Sequence, residues 1–159
     1  MTTFRLLFVC MGNICRSPAA EGVMLRMVRE AGLHERIHID SAGTGGWHAG
    51  NQSDARMRKA AATRGLELVH LARQVTPQDL ADFDLVLIMD DQNHQDIQPF
   101  DPARRHSAKI RYFCEFCTVH DAREVPDPYY GGPQGFEHVL DLLEDGCAGV
   151  LKHIHTRLA

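Results

Sequence analysis

Apolar and polar positions along the chain fall into blocks, and the period changes from block to block. Phe4-Arg5-Leu6-Leu7-Phe8-Val9 is a short apolar run that reads as a buried strand. Residues 17–31 carry Ala20, Val23, Met24, Met27, Val28 and Ala31 three or four apart, a helical stripe that Gly32 ends. Ile37 to Asp40 reads as a short second strand, and residues 42–50 form a glycine-rich loop holding the chain's only Trp, Trp47. Ser53 and Asp54 can start a helix that runs to Arg64 and stops at Gly65. Asp84-Leu85-Val86-Leu87-Ile88-Met89 is the clearest buried strand, and residues 108–113 suit a fourth. Pro126, Pro128, Gly131, Gly132 and Pro133 make residues 118–135 a structured loop. Phe136, Leu140, Leu143, Cys147, Val150, Leu151, Ile154 and Leu158 then mark the longest helix, weakened locally by Gly146 and Gly149. Alternating strands and helices predict an α/β fold with a four-stranded parallel twisted sheet, flanked by helices on both faces. Its ligand site is expected at the C-terminal ends of the strands.

Composition narrows this picture in three ways. A chain of 159 residues, 44% hydrophobic, suits a single domain over 1–159. Net charge −4 gives no basic excess for nucleic acid, and ten His would raise the charge in mild acid. No stretch approaches the ~20 apolar residues that span a bilayer, and no leader-like apolar region opens the chain, so a cytoplasmic protein that does not contact membrane is expected. Five Cys, an odd count without disulfide-framework spacing, fit a reducing compartment.

Candidate chemistry concentrates in Cys10-Met11-Gly12-Asn13-Ile14-Cys15-Arg16-Ser17-Pro18, directly after the first strand. Cys10 and Arg16 enclose five loop residues, Met11 to Cys15. Consecutive loop amides can curl into a nest of N–H donors that holds a tetrahedral dianion. The following helix, opened by Ser17 and Pro18, points its positive end at the same spot. Arg16 can add a bidentate, permanently charged fork. A Cys at the centre of that field is expected as a thiolate, a nucleophile able to take a phosphoryl group. No Gly-Lys-Ser/Thr follows, so this is not the ATP-binding P-loop, nor is it a GxGxxG loop.

These residues and four later stretches resemble the low-molecular-weight protein tyrosine phosphatases. The stretches are Ser41-Ala42-Gly43-Thr44 with Trp47-His48 and Gly50, His70-Leu71-Ala72-Arg73-Gln74, Met89-Asp90, and Pro126-Asp127-Pro128-Tyr129-Tyr130-Gly131-Gly132. The resemblance implies a metal-free, cofactor-free phosphotyrosine (aryl phosphate) phosphatase acting through a phosphocysteine. It implies Cys10 as nucleophile, Arg16 as phosphate clamp and Asp127 as general acid. On its residues alone, Pro126-Asp127-Pro128 suits an acid on a stiffened loop and a plain turn equally. The phosphate-binding loop would comprise Met11, Gly12, Asn13, Ile14, Cys15, Arg16 and Ser17.

By the same resemblance Ser17 donates to the nucleophile sulfur, although its position also suits a helix N-cap. Asn13 takes a left-handed backbone conformation, braced by Ser41 and His70. Ile14, Trp47, Tyr129 and Tyr130 wall the pocket mouth, and Ile14 stands where related phosphoarginine phosphatases carry Thr. Tyr129 and Tyr130 also match a pair that some members have phosphorylated. Cys15 would trap an oxidised Cys10 as a disulfide. Cys114-Glu115-Phe116-Cys117, with His106 and His120 nearby, reads as two Cys on the apolar face of a short helix rather than a zinc site. Expected partners are a phosphotyrosine protein or a small aryl phosphate, met by a monomer. The alternatives are a phosphoarginine phosphatase, an arsenate reductase on a similar fold, and a phosphosite-binding module without catalysis. Arsenate reduction needs further Cys to relay a disulfide, and none occurs between Cys15 and Cys114. A binding module would need neither thiol nor acid.

Overall fold

The computed structural model describes residues 3–158. Four strands, β1 (Phe4–Cys10), β2 (Ile37–Gly43), β3 (Leu85–Ile88) and β4 (Ile110–Tyr112), form one parallel sheet in the order β2-β1-β3-β4. Five helices accompany them: α1 (Arg16–Glu30), α2 (Ala55–Ala62), α3 (Pro77–Asp82), α4 (Asp91–Ile97) and α5 (Pro133–Leu158). The expected fold class is the one observed. β1 sits between β2 and β3, so the chain leaves its C-terminal end at the point where the strand order reverses, the crevice where such sheets bind ligands.

Alternation along β1 divides the core in two. Leu6, Phe8 and Cys10 belong to the layer built with Val23 and Met24 of α1 and Leu140, Leu143 and Cys147 of α5. Leu7 and Val9 face Leu80 of α3 and Ile97 of α4 on the other side. Cys10 is thus placed by register: it pairs with Gly43 at the last rung of the β1–β2 ladder, and its side chain follows the α1/α5 face.

Element boundaries differ from the sequence pattern where caps and loops intervene. α1 starts one residue earlier than expected, at Arg16, with Cys15 at the N-cap position and no side-chain cap, so the N-cap reading of Ser17 does not hold. Gly32 takes φ +71 two residues after α1 ends. β2 continues to Gly43, and α2 is shorter than its pattern, with Asp54 capping it through Arg56 N–H. α5 opens at Pro133, because a proline is well placed where the N–H has no helical partner. α3 and α4 have six and seven residues, too few to show a 3.6-residue stripe. Their caps were nevertheless written: Thr76 and Asp79 form a capping box, and Asp90 accepts from Asn93 N–H.

Gly146 and Gly149 turn out to be contact points. A Cβ on Gly146 would lie 2.2 Å from the Phe113 ring, and one on Gly149 1.9 Å from the Phe116 carbonyl oxygen. The 3₁₀ turn Phe113–Phe116 after β4 lies against α5 at these two positions. Cys114 is buried there, while Cys117 lies just past the turn and donates to the Leu142 carbonyl at 3.8 Å.

Candidate active site

The loop after β1 is shaped from outside. The carbonyls of Cys10, Met11 and Ile14 accept hydrogen bonds from Thr44, Gly45 and Asp54 N–H at 2.8–3.0 Å. With trans peptides, outward carbonyls turn the N–H groups of the next residues, Met11, Gly12 and Cys15, inward. The loop can approach β2 this closely because Gly43 has no side chain: a Cβ there would sit 2.8 Å from Met11 O and 3.1 Å from Asn13 N. Asn13 adopts φ +56, a left-handed conformation that Asn tolerates, as the resemblance implied.

Hydrogen-bond directions behind the loop follow from one obligatory donor. Arg73 N–H donates to Asn13 Oδ1 at 3.0 Å, which fixes the orientation of that amide. His70 Nε2, 2.9 Å from the same oxygen, must then carry a proton. Asn13 Nδ2 donates to Ser17 Oγ at 2.7 Å and to Ser41 Oγ at 3.0 Å. Each hydroxyl therefore keeps its own hydrogen: Ser41 gives it to Glu21 at 2.6 Å, and Ser17 has Cys10 Sγ within reach at 3.0 Å. A hydroxyl that donates to sulfur favours thiolate over thiol. Burial pushes the Glu21 carboxyl up to about 7, and burial pulls His70 below its ordinary value. His70 Nδ1 lies 3.3 Å from Glu21.

Arg16 is 2% exposed and directed across the loop. Its Nη1 donates to Asp90 at 2.5 Å and to the Val125 carbonyl at 3.0 Å, while Nη2 stands 3.7 Å from Asp127. Val125 N–H returns to the Met89 carbonyl at 2.9 Å, pinning the Asp127 loop to the end of β3. Asp127 also accepts from Tyr129 N–H at 3.1 Å. A cavity of about 260 Å³ opens above this group, lined by Cys10, Ile14, Arg16, Trp47, Asp127 and Tyr129 among others. A sequence profile described as low molecular weight phosphotyrosine protein phosphatase matches residues 5–159.

The chain belongs to this phosphatase family.

A relative from Synechocystis sp., whose name places it in the same family, is 48% identical over 97% of this chain and 98% of its own length. A protein tyrosine phosphatase from Entamoeba histolytica, solved with Hepes in its active site, superposes with a TM-score of 0.93 at 41% identity, covering 99% of this chain and 100% of that one. A Drosophila arginine phosphatase shares the architecture with a TM-score of 0.86 at 30% identity, covering 94% and 96%.

In this member of the phosphatase family most of the residues singled out in sequence gather around one pocket. Cys10, Met11, Gly12, Ile14, Cys15, Arg16, Asp127, Tyr129 and Tyr130 line one cavity, with Asn13, Ser17, Ser41 and His70 behind it. Trp47 is 72% exposed and stands over Gly45, where a Cβ would fall 1.8 Å from the indole. Three contributors were missed. Asp90 stands in one of the family-like stretches without an assigned role, yet it holds Arg16; its place at the C-terminal end of a buried strand was the available signal. His48 lines the pocket and leans on the Tyr129 ring at 6.5 Å. Arg73 braces Asn13 through its main chain, which no side-chain pattern announces.

Cys15 is buried beside the loop, and burial first, then the Asp54 and Cys10 charges, push its thiol well above the usual range. Cys114 and Cys117 are not among the pocket-lining residues, so they offer no direct relay for an oxidised Cys10. His120 pairs with Asp145 at 2.9 Å rather than with these thiols. Glu21, Asp40 and His70 bring ligand-type atoms within 4.8 Å of one another. These donors are engaged by Ser41, by the Arg73 guanidinium and by each other.

Proposed function

We propose that the chain hydrolyses phosphotyrosine and related aryl phosphates, with Cys10 as nucleophile, Arg16 as phosphate clamp and Asp127 as general acid. The observation that carries this reading is the convergence of the Ser17-bonded thiol, the buried guanidinium and the loop carboxylate on one cavity. The amide nest and Arg16 would hold the three peripheral phosphate oxygens. The Cys10 thiolate attacks phosphorus as the ester P–O bond breaks. Asp127 gives its proton to the departing phenolate. Asp127 then accepts a proton from water as that water attacks the phosphocysteine, and Cys10 leaves as thiolate with inorganic phosphate as product.

Ile14 and Tyr129 on the cavity wall suit a flat ring and support an aryl ester over a phosphoarginine side chain. Residues 1–159 would act as one phosphatase domain and as a monomer in the cytoplasm. Free thiols at all five cysteines support that compartment, and no described helix is long and apolar enough to cross a membrane.

The deciding experiment compares Cys10→Ser with the parent on para-nitrophenyl phosphate and on a phosphotyrosine peptide. Turnover should vanish while inorganic phosphate still raises the melting temperature, because the clamp and the nest are intact. Substantial residual hydrolysis would falsify the covalent route.

A further inference from the structure

A second cavity, of about 340 Å³, lies next to the catalytic one, and nothing in the hydrolytic chemistry uses it. It is set between α2, the Gly131–Pro133 turn and the first turn of α5, and Ala60, Thr63, Pro133 and Phe136 line much of it. The two cavities have a common wall. Tyr129 and Tyr130 line the catalytic pocket, and Gly131 and Gly132, the next residues in the chain, line the second. The Arg56 guanidinium lies over the Tyr129 ring at 5.2 Å and over the Phe136 ring at 4.9 Å, so a single cation spans the partition.

The character of this hollow differs from that of the phosphate site. Its lining is mainly apolar, and its α2 edge is basic. Arg56 is paired with Asp54 at 2.9 Å, whereas Lys59 makes no ion pair among the described residues. Glu137, the acid that touches the hollow, reaches to Arg64 with Oε2 at 3.6 Å. Arg64 is shared with Asp141 at 2.9 Å and Glu144 at 3.2 Å, so Glu137 is only partly neutralised, and the cation offered to an incoming group is Lys59 at the α2 edge. An apolar floor under a positive edge is complementary to a bulky hydrophobic side chain beside a carboxylate.

We propose that this cavity is a subsite for the substrate polypeptide, taking a bulky apolar residue that flanks the phosphotyrosine and has an acidic residue beside it. The inference rests on the phosphotyrosine reading above. The two cavities adjoin across the Tyr129–Pro133 turn, so the flanking residue is one of the near neighbours of the phosphotyrosine. Arg56, held by Asp54, stacks on the ring that borders the phosphoaryl group, and Lys59 presents charge to the flanking carboxylate.

The test uses the full chain, para-nitrophenyl phosphate and phosphotyrosine peptides whose flanks are either Glu-Leu, on one side or the other, or Gly-Ser. With wild type, kcat/KM for a Glu-Leu peptide should exceed that for the Gly-Ser peptide roughly tenfold, the scale for burying one Leu side chain. Ala60→Trp, which fills the hollow, and Lys59→Glu, a surface change that spares packing, should each remove most of this preference. All three proteins should turn over para-nitrophenyl phosphate alike, since it has no flanks. If wild type hydrolyses both peptide classes equally, or if both variants keep the preference, the subsite is refuted while the phosphatase reading stands. If wild type hydrolyses neither peptide nor para-nitrophenyl phosphate, both fall together.

Discussion

A single guanidinium organises the residue-level chemistry. Arg16 touches Asp90, Val125 and Asp127 from a position with almost no solvent exposure, so two carboxylates compete for attention in any proton-transfer assignment. They can be separated by leaving group. Nitrophenolate departs readily without a proton, whereas phenolate needs one. Asp127→Asn should therefore lose more rate on phenyl phosphate, on the order of 10²–10⁴, than on para-nitrophenyl phosphate. Asp90→Asn should keep the α4 cap, since Asn also caps, and slow both esters by the same factor through a misaligned Arg16. Finding the leaving-group dependence in Asp90→Asn instead would move the acid to that residue. The neighbouring thiol makes a different prediction. Peroxide converts the Cys10 thiolate to a sulfenic acid, and attack by the Cys15 thiolate forms the disulfide and expels hydroxide. Dithiol reductant should restore wild type after peroxide but restore Cys15→Ser poorly. Burial raises the Cys15 pKa, so the attacking thiolate is scarce near neutrality, and trapping should accelerate as the pH is raised. Equal recovery of both proteins at every pH would leave Cys15 as packing alone.

At the scale of elements, the glycines of α5 show how propensity and packing can oppose each other. Replacing Gly149 by Ala improves helix propensity by about 1 kcal/mol. The new methyl would fall 1.9 Å from a backbone oxygen of the 113–116 turn, and a backbone cannot swing aside as a side chain does. Overpacking of this kind costs roughly 1–3 kcal/mol or more, so Gly149→Ala should lower stability, seen as a reduced urea midpoint at unchanged slope. An unchanged or raised midpoint would mean that the turn moves freely. The same contrast explains which elements could be read in advance. β1, β3, α1 and α5 carry long apolar runs or stripes, and a period can be read from them without knowing their neighbours. α3 and α4 are too short for any period, and only their caps betray them. The site divided in the same way. Cys10, Arg16 and Ser17 are near neighbours in sequence, so their loop is legible as a motif. Asp127 could be told from a turn residue only through the family resemblance. Asp90 holds Arg16 across 74 residues of chain and Arg73 acts through a main-chain N–H, and neither contact is announced by a local pattern.

For the whole molecule, the sheet order places every contributor at one edge of the structure. β1 delivers Cys10, β2 ends at Gly43 beneath the loop, and β3 ends where Met89 and Asp90 hold the acid loop and the clamp. Three of the four strands are thus read out at their C-terminal ends, and the second cavity extends that working surface toward α2 and α5. The outward ties of the phosphate loop also have a temporal side. Its shape is held by Thr44, Gly45, Asp54, His70 and Arg73, and Arg16 is held by a carbonyl 109 residues further on. During synthesis Cys10 and Arg16 leave the ribosome before all of these restraints, and the carbonyl that holds Arg16 follows that arginine by 109 residues. At ordinary elongation speeds the gap is on the order of ten seconds. Throughout that interval the nascent chain carries the loop without the carbonyl that holds its clamp and without its acid. Making the nucleophile long before its acid therefore does not arm an unfinished enzyme: a truncated product released before Val125 has been made would contain the complete signature loop and lack both the carbonyl that holds Arg16 and the Asp127 carboxylate.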